Sequence, residues 1–196
     1  MLENQGSWER WIPILEREVK QEESKAAAVS LSHGLDHLRR VWKSCRALGA
    51  NLEADLEVLV AAAYLHDLGR HYCHERAHGE LSAELAAPVL ERIAFPEGKR
   101  DMVLHAVRVH DVTFEPADRQ TIESRILYEA DKIDAFGVVG VMRYIVIFHG
   151  KKPVEFILED LEMRWKGLTL PEIRRLAKKD YDYIVDFFQR LQQALA

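Results

Sequence analysis

Apolar residues recur at the spacing of an α-helix along almost the whole chain, and this pattern restricts the fold more than any other feature. Alternation typical of β-strands is nearly absent, and only the run VMRYIVIF, residues 141–148, is ambiguous because it is β-branched and aromatic. That run follows a helical segment and does not alternate. We therefore predict an all-α bundle of roughly eight to ten helices.

Length and composition favour one compact domain. The 196 residues are 48% hydrophobic and 30% charged, which suits a globular protein with a sizeable core. A net charge of -5 argues against a nucleic-acid duplex as partner. The two cysteines form no CxxC pair, no apolar run approaches roughly 20 residues, and the first residues lack a signal-peptide core. We predict a cytoplasmic protein without a membrane partner.

A histidine and an aspartate stand side by side where the third helical segment, about residues 52–68, is expected to stop. His66 and Asp67 follow an apolar run, and Gly69 comes two residues later. Adjacent helical side chains point about 100° apart, so this pair can converge on one ion near a helix end or with the ion between them. Two ligands hold a divalent ion poorly, so the chain must supply others.

Two further residues can complete such a site. His37 lies next to an apolar helical stripe, and Asp131 lies beside the core positions of its own segment. An acidic residue beside a core stripe is unusual unless it is paired or binds a cation. Each residue also has a simpler interpretation: His37 as a hydrogen-bonded structural residue, Asp67 as a helix-end cap, and Asp131 as the partner of Lys132 or an arginine.

The order of these residues resembles the HD-domain superfamily of metal-dependent phosphohydrolases. HLRRV, which begins at His37, matches the family's H-x-x-R-V segment, and AAAYLHDLGR is similar to A-x-L-L-H-D-I-G-K. DKIDAFGVVGVMR, which begins at Asp131, is similar to a segment of small bacterial HD hydrolases. The resemblance covers about residues 32–145. It implies one HD domain over residues 1–196, with helices of residues 153–196 packing on that core.

The resemblance implies that one divalent metal ion is bound by His37, His66, Asp67 and Asp131. Two imidazoles and two carboxylates leave positions open for water and a phosphate oxygen, and they suit Mn²⁺, Fe²⁺, Co²⁺, Ni²⁺, Zn²⁺ or Mg²⁺. We expect a phosphohydrolase that cleaves an ester or anhydride of a nucleotide or related small phosphate, as a monomer or homodimer. The alternative is a non-catalytic, nucleotide-binding regulatory HD domain.

Several other residues are candidates for the reaction. The catalytic candidates are Asp67, Glu75 and His110, and the substrate-binding candidates are Arg40, Arg70, His78, Lys132 and Asp134. Glu75 lies on a loop from which an acid could orient or deprotonate the attacking water. The cations could bind the substrate phosphate, although Lys132 could equally pair with Asp134. Arg143 is expected to form a structural salt bridge.

Two further alternatives concern metal. The adjacent histidine pair of multi-metal HD proteins is missing, and this argues against a two-metal centre. His110 and Asp111 repeat the His-Asp dipeptide without the matching sequence around it, so we expect His110 to contact phosphate. The cluster of His71, Cys73, His74 and His78 could form a small separate zinc site. Its spacing matches no compact ligand pattern, and a histidine-rich rim beside the metal site explains it as well.

Overall fold

The computed structural model describes residues 6–25, 34–72, 78–148 and 151–195. Over these residues the chain forms α-helices and two short 3-10 helices, at Leu68–His71 and Pro116–Asp118, with no strand. The α-helices are α1 (Trp11–Glu23), α2 (Leu35–Asn51), α3 (Leu56–Leu65), α4 (His78–Arg92), α5 (Glu97–Val109), α6 (Ile122–Ile133), α7 (Gly137–Phe148), α8 (Val154–Lys166) and α9 (Pro171–Leu195). The all-α prediction is confirmed. None of the described helices is both long and apolar enough to cross a membrane.

The helices form two compact units, Met1–Tyr128 and Glu129–Ala196. In the first unit α3 is the central helix, because it packs against α1, α2, α4 and α5. Its sequence is apolar on all sides, and every residue from Glu57 to Leu65 is buried. In the second unit α7 and α8 both pack on α9. The packing of residues 153–196 on a core at 32–145 stays a prediction.

The start of α3 differs from the sequence prediction, and α2 extends past Gly49. Asp55 caps α3 by accepting hydrogen bonds from the backbone N–H groups of Glu57 and Val58, so the helix begins at Leu56 rather than near residue 52. Gly49 does not end α2, which continues to Asn51. A Cβ atom at Gly49 would lie 2.6 Å from Leu59 Cδ1, so the glycine lets α2 approach α3 closely.

A break separates α6 from α7. α6 ends at Ile133, and α7 begins at Gly137, whose φ of 68° is left-handed and favours glycine. A Cβ atom there would lie 3.0 Å from the carboxyl group of Asp180 on α9. The ambiguous run at residues 141–148 is helical, and its Tyr144 is buried against Phe188.

Glu129 anchors the start of α9 within the second unit. Its buried carboxylate accepts hydrogen bonds from the backbone N–H of Thr169 at 2.8 Å, from Leu170 N–H at 3.0 Å and from Thr169 Oγ1 at 2.5 Å. Both residues immediately precede α9, where backbone N–H groups have no partner inside the helix.

We predict that Glu129→Ala lowers the free energy of unfolding by about 2 kcal/mol, because buried backbone donors lose a charged acceptor. Glu129→Gln should lose less, since its amide oxygen still accepts a hydrogen bond. Urea titration followed by circular dichroism measures both. The control is Glu162→Ala on α8, which removes an exposed ion pair with Lys166 and should change stability by less than about 0.5 kcal/mol. An equal loss in the control would contradict the prediction.

Candidate metal centre

The end of α3 turns His66 and Asp67 toward the same point. α3 ends at Leu65, His66 still has helical backbone angles, and Asp67 departs from them with φ -101° and ψ 10° before the 3-10 helix. The change of direction brings His66 Nε2 to 3.5 Å from Asp67 Oδ2. Two adjacent residues can therefore face one ion here, because the backbone leaves the helical conformation between His66 and Asp67.

His37, on α2, joins this pair to make a first group of possible ligands. Its Nε2 lies 3.3 Å from His66 Nε2 and 3.5 Å from Asp67 Oδ2, and all three residues are buried. Ligand atoms about 2.1 Å from a shared ion lie roughly 3.0–3.4 Å apart at ordinary bond angles. The three atoms thus have spacings close to those of a metal site.

A second group forms on the other oxygen of the same carboxylate. Asp67 Oδ1 lies 3.3 Å from His78 Nε2 and 3.7 Å from His110 Nε2, and those two nitrogens are 3.0 Å apart. His78 begins α4 and His110 follows α5, so four elements of the first unit converge on Asp67. Its two oxygens face two sets of imidazoles, and the three atoms of the second group could also hold a cation.

Backbone carbonyl groups determine which ring nitrogen carries the proton in two of these histidines. His66 Nδ1 lies 2.9 Å from the carbonyl oxygen of Ala63, and His110 Nδ1 lies 2.6 Å from that of Val107. A nitrogen in that position donates, so each ring, when it is neutral, presents the lone pair of Nε2 toward Asp67. This is the arrangement in which a second hydrogen bond orients a metal-binding histidine.

The carboxylate of Asp67 fits a cation chemically. Burial raises its pKa, but the surrounding histidines, with His66 foremost, outweigh burial and hold the pKa well below the usual range. The group is therefore ionised. Its Oδ2 atom is buried and accepts no hydrogen bond from the described residues, although His37 and His66 face it. A buried anionic oxygen without a hydrogen bond is costly, and a cation placed between it and two ring nitrogens would offset that cost.

Asp111 is a residue of this centre that the sequence analysis missed. Its Oδ2 atom forms an ion pair with His78 Nδ1, on the side of the ring opposite Asp67. Burial lowers the pKa of His78, but the two carboxylates outweigh it and raise the pKa to about 9. The available signal was the His-Asp dipeptide at the end of α5, which repeats the dipeptide at the end of α3.

Two glycines let α4 come close enough to deliver His78. A Cβ atom at Gly69 would lie 2.7 Å from both His78 O and Ser82 N, and Ser82 Oγ accepts a hydrogen bond from the Gly69 N–H. A Cβ atom at Gly79 would overlap the carbonyl oxygen of Arg108 on α5. The backbone of α4 therefore approaches the backbone at Gly69 and at Arg108 closely, beside residues that face Asp67.

Three further candidates, Asp131, Lys132 and Asp134, belong to the second unit. Lys132 Nζ donates to Asp131 Oδ2 at 3.1 Å, so Lys132 contacts Asp131. Asp134 instead accepts a hydrogen bond from Arg143 at 2.6 Å, which is the structural salt bridge expected for Arg143. The roles assigned to Asp131 as metal ligand and to Lys132 and Asp134 in substrate binding stay predictions.

Two cationic candidates lie near the first unit's histidines in sequence or space. Arg40 is half-buried on α2, three residues after His37. Arg70 Nη1 lies 3.3 Å from His78 Nδ1. Glu75 lies outside the described residues, and so do Cys73 and His74 of the alternative zinc cluster. His78, which is also a member of that cluster, belongs to the second group.

An all-α fold with a buried histidine–aspartate cluster defines a metal-dependent hydrolase class, and the cluster fits phosphohydrolase chemistry. The HD domain model matches residues 34–135, about half of the chain, and the chain belongs to the HD-domain family. This confirms the resemblance on which the sequence predictions rest.

Solved structures of similar fold cover nearly the whole chain. A predicted HD superfamily hydrolase from an uncultured Thermotogales bacterium has a TM-score of 0.70 and 22% identity, covering 95% of this chain and 94% of its own. An HD-superfamily hydrolase from Bacillus thuringiensis has a TM-score of 0.72 and 19% identity, covering 96% and 98%. Bacillus subtilis YpgQ in complex with ADP has a TM-score of 0.64 and 19% identity, covering 92% and 96%.

A curated relative is similar over a shorter stretch. Ribonuclease Y from Cutibacterium acnes is 30% identical over 104 residues, which is 52% of this chain. The match spans 17% of that protein's length.

Proposed function

We propose that this protein hydrolyses a phosphate ester or anhydride of a nucleotide or related small phosphate, with a divalent cation bound by His37, His66, Asp67 and Asp131. The observation that carries the proposal is the buried Oδ2 atom of Asp67, which faces two ring nitrogens and accepts no hydrogen bond from the described residues. The proposal includes a cytoplasmic location and a monomeric or homodimeric state.

The chain's own residues would prepare the site for this reaction. When bound, a divalent cation supplies a water of lowered pKa and neutralises charge on the phosphoryl group. Ala63 and the α3 end fix the His66 ring, and burial of His37 and Asp67 excludes bulk water from the ligand atoms. His78 lies at the half-buried edge of the cluster, where its positive charge can attract a phosphate group.

Two relatives support a nucleotide or a related phosphodiester as substrate class. YpgQ has the same fold over most of both chains and was crystallised with ADP. Ribonuclease Y is named for cleavage of RNA, whose backbone is a nucleotide phosphodiester. We favour a free nucleotide because the net charge of -5 gives the chain no general electrostatic attraction to a polyanion.

The proposal is tested with purified protein loaded with Mn²⁺, Co²⁺ or Zn²⁺ and a panel of nucleoside mono-, di- and triphosphates, cyclic nucleotides and a short RNA. We expect release of phosphate, pyrophosphate or nucleoside from at least one free nucleotide, and loss of turnover with EDTA. Thermal stabilisation by a nucleotide without any product would instead assign the regulatory alternative. Turnover of RNA alone would replace the small-nucleotide substrate.

The number of metal ions per chain in the same preparation decides whether the second group also binds an ion. One ion per chain, measured by mass spectrometry of the metals, leaves His78 protonated between two carboxylates. Two ions per chain would place the second at Asp67, His78 and His110, in spite of the missing histidine pair.

A further inference from the structure

Asp111 directly follows His110, yet its carboxylate does not face the centre of the cluster. It lies behind His78, with Oδ2 paired to Nδ1, while Nε2 of the same ring faces Asp67 and His110. The imidazole is thus held between two carboxylates through its two nitrogens. His78 is the most exposed of the four clustered histidines, so it depends most on such a contact for its orientation.

The Asp111 carboxylate is itself fixed by the chain around it. The side chain is buried, and its Oδ1 atom accepts a hydrogen bond from the Thr113 backbone N–H at 3.0 Å. The Asp111 carbonyl oxygen accepts a hydrogen bond from Arg119 Nη2 at 3.0 Å. One carboxylate oxygen therefore holds the local turn, and the other is directed to His78.

Arg70 does not provide an equivalent anchor. Its Nη1 atom also lies 3.3 Å from His78 Nδ1, but a guanidinium can only donate a hydrogen bond. A ring nitrogen that donates its N–H hydrogen bond to Asp111 has no lone pair to accept one from Arg70. The shorter ion pair with Asp111 therefore sets the state of Nδ1.

We propose that Asp111 is a positioning residue of the centre, which accepts a hydrogen bond from Nδ1–H of His78 and so holds Nε2 of that ring against Asp67. This inference rests on the proposed function for its consequence in catalysis. Through His78, Asp111 also fixes Asp67 Oδ1, and so the carboxylate whose other oxygen belongs to the first ligand group. A carboxylate behind a histidine that binds metal has about 10–100-fold effects on affinity or activity, and here the effect would reach the first ligand group through Asp67.

The test is Asp111→Asn in the full-length protein. The asparagine oxygen can still accept the Thr113 hydrogen bond, so the local turn is kept, but the NH2 group that replaces Oδ2 cannot accept a hydrogen bond from His78 Nδ1–H. The matched control is Asp101→Asn, the same change at an exposed position of α5. Each variant is labelled with ¹⁵N, and His78→Gln identifies the ring resonance of His78.

We expect the downfield Nδ1–H resonance of His78 to be visible in the wild type and in Asp101→Asn and lost in Asp111→Asn, with Zn²⁺ affinity reduced roughly 10–100-fold. A resonance that survives in Asp111→Asn overturns the proposal. Loss of the resonance with unchanged Zn²⁺ affinity also overturns it, since Asp111 would then be a structural contact only.

These two readouts need no turnover, so they remain decisive if the nucleotide panel shows no product. If turnover is found, Asp111→Asn should lower kcat more than it raises KM. A purely structural role would instead lower the melting temperature and leave the His78 resonance in place.

Discussion

Asp67→Ala should abolish both cation binding and hydrolysis. Asp67 contributes one oxygen to each of the two ligand groups, so its removal takes a ligand from both. The loss should exceed the roughly 100-fold that follows removal of a group that only orients a ligand. Isothermal titration with Mn²⁺ and Zn²⁺ measures the binding, and turnover on the best nucleotide of the panel measures the activity.

The fold should survive this substitution, because Asp67 lies after α3 rather than within it. Helix content by circular dichroism should match the wild type, whereas the rise in melting temperature that metal gives the wild type should vanish. Asp67→Asn keeps the side-chain volume and so tests whether Asp67→Ala acts only by collapse of the site. Asp101→Ala, at an exposed position of α5, is the matched control. Retention of wild-type metal affinity in both Asp67 variants would refute the assignment of this centre.

The candidate ligands that the sequence predicts and the structure brings together are those whose signal is local. His66 and Asp67 follow an apolar run that only a buried helix explains, and the glycine two residues later indicates its end. His37 was found because it lies beside an apolar stripe on a helix of clear period. These patterns depend on a few neighbouring residues, so they can be recognised without knowledge of the packing.

The second group depended on packing that no local pattern reveals. His78 was expected to bind substrate and His110 to contact phosphate, and neither spacing predicts that their Nε2 atoms lie 3.0 Å apart. Their meeting requires α4 and α5 to approach at backbone distance. Asp111 was noted only as part of a repeated His-Asp dipeptide, and the sequence does not indicate its contact with Nδ1 of His78.

Charge pairing within α6 and α7 had the same limitation. The sequence allowed Lys132 to pair with Asp134 as well as Asp131, since both carboxylates are near in sequence. Lys132 contacts Asp131, the other residue near the end of α6. Asp134 accepts a hydrogen bond from Arg143 of α7 instead. The break at Gly137, with its left-handed φ, returns α7 toward the end of α6 and makes that second pair possible.

Gly79→Ala should disrupt the second group without changing any of its ligands. Gly79 follows His78, and an added Cβ would overlap the carbonyl oxygen of Arg108 and lie 3.2 Å from Asp111 Cβ. Both obstacles belong to backbone or to the base of a side chain, so α4 and α5 must move apart. Overpacking of this kind costs about 3 kcal/mol or more of folding free energy.

The control is Gly98→Ala on α5, where a Cβ atom meets nothing within 4 Å. Alanine has a higher helix propensity than glycine, so this variant should be neutral or stabilised by up to about 1 kcal/mol. Urea unfolding gives the two free energies, and the Nδ1–H resonance of His78 reports the local geometry. We expect Gly79→Ala to lose both stability and that resonance. A Gly79→Ala protein as stable as Gly98→Ala, with the resonance intact, would mean that α4 and α5 do not approach at backbone distance and that His78 reaches Asp67 by another route.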